Sequence, residues 1–142
     1  MGDLEKKIGD FFGNLPGLSP AAKETAARYL PWVLIVLGVF GMLAWLSSIR
    51  FFFGVLGVAG YFGYVYPGPL FTVHMVLAPI AQIMVIYGGY LMLGRKLQGW
   101  RLVFYALLLG VVSHFLAASI FGLVIDFVCA YILFQVREFY AA

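Results

Sequence analysis

Three ionisable side chains stand inside long uncharged stretches of this chain: His74, His114 and Asp126. Charge is costly away from water, so each is a functional candidate. A histidine and an aspartate together can hand on a proton, hold an ion or bind a small polar solute. Arg50, at the end of the first apolar stretch, can reach toward the same level. Gln82 and Ser113 add neutral hydrogen-bonding groups. These six residues form the candidate binding or permeation site. Two histidines on neighbouring helices can also ligate one haem iron, and two histidines with an aspartate can hold a divalent metal. His74 and His114 are therefore candidate ligands of haem b or a metal. Neither ligand set has a diagnostic spacing here, so the expectation is that the chain needs no cofactor.

Other chemistries leave no trace. The chain has one cysteine, Cys129, which excludes a disulfide framework, a cysteine zinc cluster and dithiol chemistry. There is no GxxxxGK[ST], HExxH or GxSxG motif. No residue is assigned a catalytic role, and the chain reads as non-enzymatic.

The elements that position the candidates follow from composition. Of 142 residues, 64% are hydrophobic and 11% charged. An ordinary soluble domain is about 45–50% apolar and about 25% charged. This chain has too little polar surface to cover a globule in water. That excludes a soluble enzyme, a disordered chain and a nucleic-acid-binding domain. The class is an all-α integral membrane protein, with room for about four spans of roughly 20 residues.

The nine basic and six acidic side chains give the spans their order. All but Arg50 and Asp126 fall in three clusters: a head ending at Arg28, a middle group (Arg95, Lys96, Arg101) and a final pair (Arg137, Glu138). Tyr29 to Ile49 is uncharged and long enough to span. Phe51 to Gly94 is uncharged but broken at Pro67-Gly68-Pro69. Leu70 to Leu93 reads as one helix, kinked at Pro79. Residues 102–136, a single helix too long for a bilayer, read as a hairpin turning near Ser119–Gly122. The expectation is four antiparallel spans, about 31–49, 70–93, 102–119 and 121–137. The segment 51–68, with Gly54, Gly57, Gly60, Gly63 and three tyrosines, is expected on the outer face, re-entrant or interfacial. Nearly all the basic residues then share one face, as the positive-inside rule demands. The chain is expected in a bacterial cytoplasmic membrane with both termini in the cytoplasm.

The head, 1–30, carries Leu4, Ile8, Phe11, Phe12 and Leu15 at helical spacing among charges. This predicts an amphipathic helix on the cytoplasmic leaflet. Ser19-Pro20 reads as the start of a second short helix to about Leu30. Within the spans, small residues mark close helix approach: Gly38, Gly41, Gly110, Ala117 and Ala130. They share faces with the polar candidates, which are therefore expected to point inward. If the hairpin turns near residue 120, His114 and Asp126 stand six residues either side, at one depth of roughly 9 Å.

The segments 99–110 (GWRLVFYALLLG) and 131–140 (YILFQVREFY), with LPGLS at 15–19 and Leu30-Pro31-Trp32, resemble a group of small four-helix bacterial membrane proteins. The resemblance implies the four-span topology and assigns no site residue. The leading expectation is a non-enzymatic structural or accessory subunit, working as a homo-oligomer or with membrane partners in the lipid bilayer. The alternatives are a small transporter or channel unit centred on His74, His114 and Asp126, and a haem- or pigment-binding anchor.

Overall fold

A computed structural model describes the backbone of residues 3–61 and 68–140, and their side chains apart from 56–61 and 71. The described chain is all-helical: α1 (Asp3–Gly13), α2 (Pro20–Tyr61), α3 (Pro69–Leu93), α4 (Leu97–Leu116) and α5 (Ile120–Gln135), then a 3₁₀ turn, Arg137–Tyr140. Three segments are long and apolar enough to cross a membrane: Pro20–Val55, Thr72–Leu93 and Leu97–Leu116. The helix Ile120–Gln135 is apolar but has 16 residues. That is about 24 Å, short of the roughly 30 Å hydrocarbon layer.

The largest departure from expectation is α2. It runs for 42 residues through both Pro31 and Arg50. The short helix expected at 20–30, the span 31–49 and the start of the segment 51–68 are therefore one helix, about 63 Å long. Residues 62–67, where the rest of that segment falls, lie outside the described residues.

Pro31 does not break α2, because its defect is repaired from elsewhere. Proline has no N–H, so an internal proline strips the carbonyl four residues earlier of its partner. For Pro31 that carbonyl is Ala27, and the Tyr140 hydroxyl donates to it at 2.7 Å. Pro79, inside α3, repeats the pattern. The orphaned carbonyl is Met75, and the Trp45 indole N–H of α2 donates to it at 3.0 Å. The Trp100 indole N–H likewise satisfies the Leu133 carbonyl near the end of α5, at 2.8 Å.

The helices pack in chain order, α2 on α3, α3 on α4, and α4 on α5. α3 and α4 cross at Gly88 and Gly99, so closely that a Cβ on Gly99 would lie 2.8 Å from the Gly88 carbonyl oxygen. The core gathers at the end carrying the three charge clusters, here the basic end. Trp100, Val103, Met92, Leu133, Val136 and Tyr140 are fully buried there. Trp100 stacks on Phe104 with Phe134 edge-on, and the Arg137 guanidinium lies 5.1 Å from the Trp100 ring centre.

At this end α2 and the loop before it meet the end of α5 and the turn after it. Tyr140 reaches Ala27, Lys23 pairs with Glu138 at 3.3 Å, and the Leu18 N–H donates to the Gln135 side chain. Burial pushes the Tyr140 hydroxyl above its ordinary value of 10.0, with nearby Arg95 opposing. Toward the other end, the far end, the two helices separate.

The head is helical as expected, but α1 lies against protein. Phe12 is buried among Phe127, Tyr131 and Phe134 of α5. Glu5 is also buried, its Oε1 3.5 Å from Nε of Arg101 and 3.4 Å from the donating Tyr105 hydroxyl. The inward face is Glu5, Ile8 and Phe12, while Leu4 and Phe11 are exposed. The turn spacing explains this: residues i, i+3 and i+7 share one face, and on that face Glu5 meets the Arg101 and Tyr105 of α4.

Candidate functional site

The α4–α5 hairpin builds the site. α4 ends at Leu116, and the chain reverses through Ala118, whose φ of 52° is left-handed. The Ser119 N–H donates back to the His114 carbonyl at 2.8 Å. The Ser119 hydroxyl oxygen then accepts from the Gly122 N–H at 3.3 Å, capping the start of α5. The turn thus occupies 117–119, slightly before the expected Ser119–Gly122, and Gly122 belongs to the helix.

That geometry brings His114 and Asp126 to one level. Nδ1 of His114 donates to Oδ2 of Asp126 at 2.7 Å. The short distance is that of a charge-assisted bond. Two glycines make the room. A Cβ on Gly122 would run into the His114 ring, and one on Gly110 would stand 3.0 Å from Asp126 Oδ2. Asp126 is 7% exposed. Its second oxygen, Oδ1, accepts no hydrogen bond from any described residue, and Asp126 lines the neighbouring space. Oδ1 therefore opens onto it.

That space is a cleft of about 350 Å³ between α2 and α5, floored by α3 and α4. Its walls are apolar, with Leu37 and Phe40 of α2, Val85 of α3, Leu107 of α4 and Ile125 of α5. Gln82, His114, Ser119 and Asp126 supply the polar side chains. Phe40 and Phe121, which also line it, are 66% and 77% exposed, so the cleft opens sideways between α2 and α5.

The remaining candidates separate. Nδ1 of His74 lies 2.8 Å from the Ser113 hydroxyl and 3.0 Å from its carbonyl oxygen. Ser113 and His114 are adjacent on α4, so their side chains leave the helix about 100° apart. The two histidines thus use different partners on different faces of α4. Gln82 turns instead to α2, its amide filling the space over Gly41. His74 and Gln82, both on α3, therefore turn to different neighbours, α4 and α2. Arg50 is exposed on α2 and forms no ion pair with a described residue. No cluster of three or more His, Cys, Asp or Glu side chains suited to a metal occurs among the described residues.

The small-residue faces sort by neighbour. Gly38 and Gly41 face α3 and Gly110 faces Asp126 of α5. Ala117 caps the end of α4 and Ala130 packs against the core. Sequence reasoning did not foresee the cleft itself or the burial of Glu5. It did not foresee the repairs at Ala27 and Met75, although each internal proline announces which carbonyl needs a donor. Compared with known proteins, the chain matches no family model, no curated protein and no solved structure.

Proposed function

We propose that the chain is a four-span, non-enzymatic integral membrane protein that holds a ligand at the His114–Asp126 pair, admitting it sideways from the bilayer. One observation carries the reading: a buried carboxylate, paired through one oxygen, presents its other oxygen to a laterally open apolar cleft. Such a group needs either water or a ligand to complete it. Concave, mostly apolar spaces with a few polar groups are where small molecules bind, and the volume falls in the usual range of about 300–1,000 Å³.

In this reading α5 is the fourth span, completed by the residues that flank it. The basic end faces the cytoplasm, and α1, an amphipathic helix, rests at that surface with its inward face on α4 and α5. Reporter tags at the two termini should register on the same side of the membrane. Tags on opposite sides would return the chain to three spans and refute this topology. The ligand reading is tested by native mass spectrometry of protein released gently from its own membrane. A bound small amphiphile should remain on the wild type and be lost from Ala44→Leu, which fills the cleft from α2. Spectra without an adduct on either protein would count against it.

A second reading, a subunit of a larger membrane assembly, draws support from α2. Phe40, Leu43, Leu46, Phe51 and Phe53 are all exposed along it. Its homo-oligomeric form predicts a particle mass above one chain in nanodiscs, and a single-chain mass would sink it.

A further inference from the structure

We infer that the ligand of the α2–α5 cleft is a lipophilic amine, an alkyl chain carrying a primary or secondary ammonium. This rests on the ligand-holding reading above and names the chemical class.

The argument starts with the acceptor. Oδ2 of Asp126 is taken by His114, and no described residue donates to Oδ1. A neutral imidazole leaves the pair with one negative charge, and a protonated one leaves it neutral. In both states Oδ1 remains a strong acceptor without a donor. Gly110 keeps the approach bare, since a Cβ there would stand 3.2 Å from Oδ1. Among the described residues no cation serves this oxygen: Arg50 forms no ion pair with them, and Arg95, Arg101 and Arg137 engage groups at the basic end.

The walls decide the rest of the molecule. Leu37, Phe40, Val85, Leu107 and Ile125 offer no hydrogen bond to a polar body. Such walls accept an alkyl chain arriving from the bilayer, whose methylenes exchange one apolar surrounding for another. A fatty acid would set a second carboxylate against Asp126. With His114 neutral the pair carries one negative charge, which an alcohol donating to Oδ1 would leave uncompensated in a low dielectric, where an opposite charge counts most. An ammonium satisfies both demands, donating N–H to Oδ1 and neutralising the carboxylate.

The test uses the full chain in phosphatidylcholine nanodiscs with radiolabelled dodecylamine, empty nanodiscs as background, and dodecanol as competitor. Wild type should bind saturably at one amine per chain. Asp126→Asn should weaken binding at least tenfold, Ala44→Leu should do the same by filling the cleft, and Asp3→Asn should leave it unchanged. Dodecanol should displace the amine at least tenfold less well than unlabelled dodecylamine. If Asp126→Asn does not fold, Ala44→Leu and the dodecanol comparison decide. Equal displacement by dodecanol would overturn the amine class while leaving a ligand-holding cleft in place. Binding indifferent to both variants would overturn the site. Absence of saturable binding by either probe would count against the ligand-holding reading as well.

Discussion

Tyr140→Phe tests how an apolar helix carries an internal proline. The hydroxyl removed is the donor that reaches the Ala27 carbonyl at 2.7 Å, and the ring is fully buried. Phenylalanine keeps the ring and opens almost no cavity, so the cost is that of an orphaned buried carbonyl, about 1–3 kcal/mol. The cause can be isolated. Pro31→Ala returns an N–H to position 31, four residues after Ala27, and the helix can then satisfy that carbonyl itself. In that background Tyr140→Phe should cost only the phenol's own bond, about 0.5–1 kcal/mol.

The double-mutant cycle should therefore show a coupling of about 1 kcal/mol, whatever Pro31→Ala does alone. Independent sites add within about 0.3–0.5 kcal/mol, so the signal is resolvable. The assay is unfolding in mixed micelles titrated with dodecyl sulfate, read by tryptophan fluorescence. If the two costs simply add, the repair of Ala27 by Tyr140 is not what lets α2 continue through Pro31. Alkali offers a second handle. An unfolded chain ionises its tyrosine near pH 10, whereas burial holds Tyr140 protonated to higher pH. Its contribution is complete below about pH 10 and is lost as the pH rises through the higher folded value. Tyr140→Phe should abolish that part of the alkaline loss.

The same logic applied to Pro79 predicts that Trp45→Phe destabilises by about 1 kcal/mol, because the bond it removes is only partly buried; Pro79→Ala should relieve this, and an unrelieved loss would refute the account. Gly122→Ala should cost about 1–3 kcal/mol in the same titration, since its Cβ would strike the His114 ring, and a neutral result would contradict the packing. Ala118→Gly should stabilise by about 0.5–1 kcal/mol by removing a left-handed alanine, and an unchanged or lowered midpoint in the same titration would contradict the left-handed turn.

Much of the site was legible because one quantity, chain distance from a turn, controls depth on antiparallel helices. Counting six residues either side of position 120 placed His114 and Asp126 at one level, and they meet. Counting could not say which of two adjacent residues on α4 faces α3. Ser113 takes that place and holds His74, so the three ionisable groups divide into two couples. The fold was legible where charge marked helix ends and illegible where tertiary contact overrode a local signal. Pro31 and Arg50 both argue for a boundary, yet α2 passes both. A donor 113 residues away in the chain repairs the first. Glu5 misled for a related reason: it lies among solvated charges in sequence, and only the docking of α1 shows that its face is turned inward.

The structural role of His114 and Asp126 and the ligand-holding role proposed for them are not rivals in this architecture. At the basic end α2 and the loop before it are tied to the end of α5 and the turn after it, through Tyr140, Glu138 and Gln135. At the far end α5 is held by the hairpin turn and by the His114–Asp126 bond, both of which bind it to α4. The pair therefore keeps the far end of α5 on α4 and away from α2, which is what leaves the cleft open. A lock made of apolar side chains would hold α5 equally well, and with no desolvation cost. What it would lack is the spare acceptor, Oδ1, facing the space that the lock maintains. The carboxylate is thus the one feature of the hairpin that packing alone does not explain.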